Sequence, residues 1–255
     1  MIRKNKHTFK RKWGQNFLVD KNLLKKIADT INPNEKDSIV EIGPGEGALT
    51  GYIFSKVKEM AVVEIDPILI ELLHSREEFN GLKIICSDIL TQQIDSLPIK
   101  NPVRIVGNIP YNITSPIIFW LIEQLHYWDD AFIMMQKEVA KRLTADVGTK
   151  SYGRLTVVAG AYLDFEYCFT IPPTVFIPKP KVDSAIVKFT KKSSPAVEDK
   201  KYLRFNKLVS AAFSQRRKML KNSLKSWDIS EKLKRKIDFN RRPETLTIEE
   251  FSSLV

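Results

Sequence analysis

Apolar positions along the chain follow two different periods. Lys21 to Ile31 has helical spacing, with Leu23, Leu24, Ile27 and Ala28 on one stripe and Asn32-Pro33 as a stop. From Ser38 onward, short runs rich in β-branched residues alternate with helical stretches. The strand candidates are 38–42, 61–65, 83–86, 103–106 and 131–135, and helices are predicted over 48–57, 68–75, 116–125 and 137–144. That alternation is the signature of βαβ units, so an α/β fold with a mostly parallel, doubly wound sheet is expected. Phe165–Thr170 and Ala185–Thr190 suit an antiparallel hairpin at the sheet edge. Leu203–Leu224 and Ile229–Ile237 read as helices of a small C-terminal all-α domain.

At residues 191–200 the composition shifts to Lys, Ser, Pro and acids, which reads as a linker. The expected division is a catalytic domain over 1–192, opening with a basic arm over 1–20, and a helical domain over 200–255. A chain of 255 residues, 43% hydrophobic, can bury one large core and one smaller unit. The longest apolar runs are broken by Pro, Asn or charge, so no membrane span is expected, and no apolar segment follows the basic start as in a secretory leader.

Charge refines this picture. The net charge is +11, but residues 1–26 carry +8 and residues 191–255 carry +9, leaving −6 for the middle. Basic ends around an acidic centre suit a polyanionic partner, although a charge run taken alone reads first as a solvated face. Cys86 and Cys168 lie in strand-like runs without metal-ligand spacing and are expected to be buried, reduced thiols. Three scattered histidines suggest neither a metal site nor a hydrolytic triad.

The chemistry-bearing residues fall at successive strand ends. Glu41-Ile42-Gly43-Pro44-Gly45-Glu46-Gly47 closes the first strand, and its third glycine comes one residue too early for a dinucleotide fingerprint. Such a turn suits a nucleoside cofactor without a pyrophosphate, with a helix N-terminus behind it, but is also an ordinary tight turn. Glu64 follows Gly43 by 21 residues, the place from which a carboxylate reaches ribose hydroxyls. Asp88 follows the third strand and can accept from an adenine amino group, with Ile89 against the ring, or can cap a helix. Asn108-Ile109-Pro110-Tyr111 follows the fourth. The Asn108 side-chain oxygen and the Ile109 carbonyl offer two acceptors for the hydrogens of an aromatic amino group, and Pro110 fixes the turn. Tyr111 offers a face on which a flat base can stack. Each feature alone is common loop composition; in series they describe one site.

These motifs resemble those of the ribosomal RNA adenine N6-methyltransferases, over nearly the whole chain. The likeness includes Gly14-Gln15-Asn16-Phe17-Leu18, the glycine turn, Glu64-Ile65-Asp66, Asn108 to Asn112, Tyr152-Gly153-Arg154-Leu155 and Gln215-Arg216-Arg217-Lys218. Ser87 stands where the family often has Gly. Gln136-Lys137-Glu138-Val139 and Pro178-Lys179-Pro180-Lys181-Val182-Asp183 favour the small-subunit branch over the macrolide-resistance methyltransferases of the large subunit. The resemblance implies a Rossmann-like class I methyltransferase domain using S-adenosylmethionine. It implies cofactor contacts at Asn16, Leu18, Gly43, Glu64, Asp88 and Asn108, with Phe176 facing Tyr111 across the target adenine. It further implies dimethylation of two adjacent adenosines in a 3′-terminal hairpin loop of small-subunit (16S) rRNA, which must leave its stack to react. The Phe213–Lys221 stretch, on a predicted helix, would grip rRNA phosphates in a pre-30S particle. The expected protein is monomeric, cytoplasmic and active in ribosome biogenesis. An enzyme of the same chemistry on large-subunit rRNA or DNA, and a ribosome-assembly or transcription-factor-like binding protein of the same fold, are the alternatives.

Overall fold

A computed structural model describes residues 16–215 and 217–255. The basic start of the chain, Gly14, Gln15 and Arg216 therefore lie outside the described residues. β1 (Phe17–Leu18) leads into α1 (Lys21–Ile31), which Asp20 caps by accepting from the Leu23 N–H at 2.9 Å. Asn32 ends the helix in the left-handed region, and the buried stripe is Leu24, Ile27, Ala28 and Ile31.

The central strands are β2 (Ser38–Ile42), β3 (Glu59–Glu64), β4 (Lys83–Cys86), β5 (Val103–Asn108) and β6 (Trp128–Gln136). They pair in parallel in the order β4-β3-β2-β5-β6. β2 and β3 read as near-continuous apolar runs because a parallel strand between helices is covered on both faces. Between them lie α2 (Thr50–Ile53), α3 (Pro67–His74) and α4 (Thr114–Glu123). β7 (Leu163–Ile171) and β9 (Ser184–Lys191) complete the sheet beyond β6, with β9 beside β6 and β7 at the edge. The two runs are neighbours as expected, each slightly longer than the sequence pattern indicates. The short β8 (Phe176–Ile177) between them pairs antiparallel with β1 instead.

At the amino edge of the sheet, Arg104 on β5 ties four segments together. Its guanidinium pairs with Asp130 at 2.8 Å and Asp37 at 2.7 Å, and donates to the Ile31 and Asn32 carbonyls at the end of α1. Only 16% of this side chain is exposed, so the bidentate contact is shielded from water.

The chain forms two compact units. Among the described residues, one holds 16–137 together with Tyr167–Lys188; the other holds Glu138–Glu166 and Phe189–Val255. This corrects the expected boundary at 193–199: α5 (Lys137–Leu143), all but its first residue, and α6 (Arg154–Gly160) group with the C-terminal helices. The reason is core size. The helices after residue 200 bury too little by themselves, and α6 supplies Val157, Val158 and Ala159 beside Leu208, Val209 and Ala212 of α7 (Tyr202–Ser214). Phe213 and Phe251 of α10 (Ile248–Ser252) stack 5.8 Å apart in the same unit.

Four further expectations are corrected. The helix over 48–57 is only α2 plus one 3-10 turn, because Gly43, Gly45 and Gly47 all have positive φ and delay helix entry. The helix over 203–224 breaks into α7 and α8 (Leu220–Ser223). The N–H groups of Leu220 and Lys221 donate to the carbonyls of Arg241 and Phe239 at 2.9 Å, so these two residues do not continue the ladder of α7. The second C-terminal helix, α9, is shorter than expected, Glu231–Lys236. Finally, Cys86 is exposed and Cys168 half-buried rather than core thiols, since β4 is an edge strand and β7 is another.

Candidate active site

The strand order reverses between β2 and β5, and there the carboxyl ends of two neighbouring strands open a crevice. Ile42 pairs with Gly107, so the chain leaves β2 at Gly43 beside Asn108 at the end of β5. A cavity of about 300 Å³ fills this crevice, at the lower end of the range for small-molecule sites. The glycine turn forms one side: a Cβ on Gly45 would come within 2.9 Å of the Phe17 ring. Contact that close requires the missing side chain as well as the positive φ of 60°.

The cavity lining carries four acids, Glu41, Glu46, Glu64 and Asp88, and among the described residues no Lys, Arg or His. In a chain of net charge +11 this is a local reversal of sign. It disfavours a diphosphate and suits a nucleoside that brings positive charge. Glu64 is 5% exposed and takes the N–H groups of Ile65 at 2.9 Å, Asp66 at 3.0 Å and Gly45 at 3.3 Å. Burial pushes its carboxyl above the usual carboxylate range, against those three donors. Glu41, on β2, accepts from the Thr50 hydroxyl at 2.6 Å, and burial pushes it up to about 7. Asp88 caps the 3-10 turn Ile89–Thr91 by accepting from the Leu90 N–H through one oxygen at 3.0 Å. Capping thus coexists with its place on the cavity wall, since a carboxylate has two oxygens.

Asn108 is held by the residue that precedes β1. Its side-chain Nδ2 donates to the Asn16 carbonyl at 3.1 Å. A carbonyl only accepts, so the amide nitrogen faces Asn16 and the amide oxygen faces away from it. Ile109 is buried, and Pro110 leads into the 3-10 turn Tyr111–Ile113. Tyr111 is half-buried on the lining, and its hydroxyl bonds that of Ser184 at 2.6 Å. Burial pushes the Tyr111 phenol above its ordinary value, with the Ser184 bond opposing.

Asn16, Leu18, Gly43, Glu64, Asp88, Asn108, Ile109, Pro110 and Tyr111 thus all line one cavity. Phe176 does not. It pairs with Leu18 across β1 and β8, is 3% exposed, and belongs to the core cluster with Ile171 and Ile186. Of the two rings expected to face each other, only Tyr111 lies on the cavity lining. Met134 and Ser184 are members or supports of the site that no strand-end motif singled out, and Glu41, the first residue of the glycine-turn motif, carried no role of its own there. The role of the Glu41 side chain was not legible because a charged residue inside an apolar strand reads as a strand residue. Ser184 was hidden because its neighbour is 73 positions away.

A doubly wound sheet with a glycine turn, a buried carboxylate and an uncharged amide at the switch point defines a class I S-adenosylmethionine-dependent methyltransferase. The whole chain agrees with that class. Residues 6–255 match the family model described as ribosomal RNA adenine dimethylase. Proteins described as ribosomal RNA small subunit methyltransferase A are similar at comparable length. The one from Coxiella burnetii is 38% identical, over 96% of this chain and 96% of that protein. The one from Flavobacterium johnsoniae is 42% identical, over 95% and 92%. A dimethyladenosine transferase from Plasmodium falciparum has a similar structure, with a TM-score of 0.75 and 26% identity over 93% of this chain and 95% of that one. The 23S rRNA methyltransferase ErmE follows at 0.68 and 27%, over 93% and 97%. The chain belongs to the ribosomal RNA adenine dimethylase family. It is an enzyme, its cofactor is S-adenosylmethionine, and its substrate is ribosomal RNA.

Proposed function

We propose that this enzyme dimethylates N6 of two adjacent adenosines in the 3′-terminal hairpin loop of small-subunit rRNA, within a pre-30S particle, as a cytoplasmic monomer. Among the described residues no helix is long and apolar enough to cross a membrane. Identity of 38–42% to proteins named for the small subunit, against 27% to the large-subunit enzyme, supports that choice of rRNA.

The residues divide the work as follows. Glu64 receives the ribose hydroxyls, Asp88 and Ile89 the adenine of the cofactor, and Gly43 and Gly45 let it approach the backbone. Asn16 and Leu18 close the cavity from the N-terminal side. Bound S-adenosylmethionine supplies a methyl carbon made electrophilic by its sulfonium. The amino nitrogen of adenine is a poor nucleophile because its lone pair is delocalised into the ring. The Asn108 oxygen and the Ile109 carbonyl accept from its two hydrogens and favour the pyramidal nitrogen that attacks. Tyr111 holds the base by stacking. The cationic product then loses a proton, so no general base with a shifted pKa is required.

The observation that carries this reading is the Asn108 amide, whose nitrogen is committed to the Asn16 carbonyl and whose oxygen is thereby oriented as the acceptor. Phe176 enters the adenine slot only if its ring leaves the core, at a cost of about 1.5–3 kcal/mol, so Tyr111 alone is assigned as a wall. The test is nucleoside mass spectrometry of small ribosomal subunits from cells lacking the modification, incubated with S-adenosylmethionine and the protein. Dimethyladenosine in the 3′ hairpin is expected with the native chain. None is expected with Asn108→Ala, which should still bind cofactor in calorimetry. Unmodified rRNA with the native chain, or normal turnover by Asn108→Ala, refutes the reading.

A further inference from the structure

Two motifs, Gln136-Lys137-Glu138 and Val182-Asp183-Ser184, have no part in the reaction derived above. The fold joins them. The Lys137 N–H donates to the Asp183 carbonyl at 3.0 Å, and its Nζ pairs with the Asp183 carboxylate at 3.2 Å. Together these contacts fix the start of β9 against the end of β6, one residue before Ser184. Ser184 has no exposed surface, and its hydroxyl is bonded to that of Tyr111 at 2.6 Å.

We propose that Ser184 is a positioning residue: its hydroxyl anchors the Tyr111 phenol, so that the ring face presented to the target adenine stays in one plane. This rests on the assignment of Tyr111 as the stacking wall. Stacking itself needs only a ring, and a phenylalanine would supply one. What the phenolic oxygen adds is a second fixed point, at the far end of a half-buried side chain that turns about two torsions. The anchor is firm because Ser184 is short, wholly buried and part of a strand whose register is pinned by Lys137 and Asp183. Burial pushes the phenol above its ordinary value, which favours the protonated form that can bond the Ser184 hydroxyl. Placement of this kind acts on the reacting geometry, where a displacement of about 1 Å costs on the order of a hundredfold in rate.

The test is a double-mutant cycle on kcat, using S-adenosylmethionine and small ribosomal subunits from cells lacking the modification. Ser184→Ala and Tyr111→Phe should each lower kcat by about tenfold, with KM for the cofactor unchanged. The double variant should be no slower than either single one, because both remove the same bond. A merely structural serine would instead slow the Tyr111→Phe enzyme by the same factor again, and that additivity overturns the proposal. Tyr111→Phe probes the bond from the cavity side without opening a hole at the buried serine. If Ser184→Ala does not fold, native kcat in Tyr111→Phe is enough to overturn it. Tyr111→Ala separates the two ideas. Full turnover there removes the stacking assignment, whereas an inactive Tyr111→Ala beside a fully active Ser184→Ala removes only the anchor.

Discussion

Glu41 and Glu64 end or lie within neighbouring strands, line the same cavity, and are both pushed upward by burial. Their partners differ. Glu64 meets three backbone N–H groups that hold the ionised form, while Glu41 has one hydroxyl and a second carboxylate nearby. A carboxyl raised in the folded state favours folding below its unfolded value near 4.5 and loses that contribution as pH rises through about 7. The ligand-free protein should therefore lose stability between about pH 4.5 and 7, by about 3 kcal/mol from this group at most. Glu41→Gln should flatten that slope. Thermal unfolding by calorimetry across this range checks it, and an identical slope in the variant assigns the pH dependence elsewhere. A cationic cofactor in the cavity should flatten the native slope too, since it favours the ionised carboxylate.

Elements place these residues, and their own stability has separate sources. The carboxyl edge of β2 and β5 carries the chemistry, whereas their amino edge is tied by Arg104 to Asp37, Asp130 and the end of α1. Removing that guanidinium leaves two shielded carboxylates facing each other without a counter-charge. Arg104→Met should cost about 3 kcal/mol in chemical denaturation, because breaking a shielded ion pair is far more costly than losing a solvated one. At temperatures where the variant remains folded, cofactor affinity should match the native protein. A loss below about 0.5 kcal/mol would show that the cluster behaves as a surface pair. The same contrast explains the break after α7. Intrinsic propensity favours continuing the helix, but the carbonyls of Arg241 and Phe239 compete for its donors and win. Arg217 and Lys218 thus stand exposed on a turn rather than along a helix face.

For the whole molecule, the decisive feature is charge of two signs kept apart. The cavity is acidic and suits a small cationic nucleoside, while the basic charge gathers toward the two ends of the chain. The proposed grip on rRNA phosphates predicts that replacing Arg216, Arg217 and Lys218 together weakens RNA binding. It should also reduce the slope of log affinity against log salt by about 2, for three lost phosphate contacts at roughly 0.7 each. Fluorescence titration of a 3′ hairpin RNA from about 50 to 200 mM salt measures this range. An unchanged slope would make the cations a solvated surface.

The amino-acid sequence determined what depends on neighbours along the chain. Five parallel strands and their order of appearance follow from β-branched runs covered on both faces. The acids and Asn108 fall at strand ends, because a turn follows each run. Which side chains meet was decided by tertiary structure. The reversal of strand order brings Gly43 to Asn108, and the β1–β8 pairing draws Phe176 into the core. The alliance of α6 with the C-terminal helices and the contact of Ser184 with Tyr111 likewise join residues roughly fifty or more positions apart. Period and composition carry local information only. A hydrogen bond between distant residues, or the choice of which ring is buried, is settled by the packing of the assembled sheet.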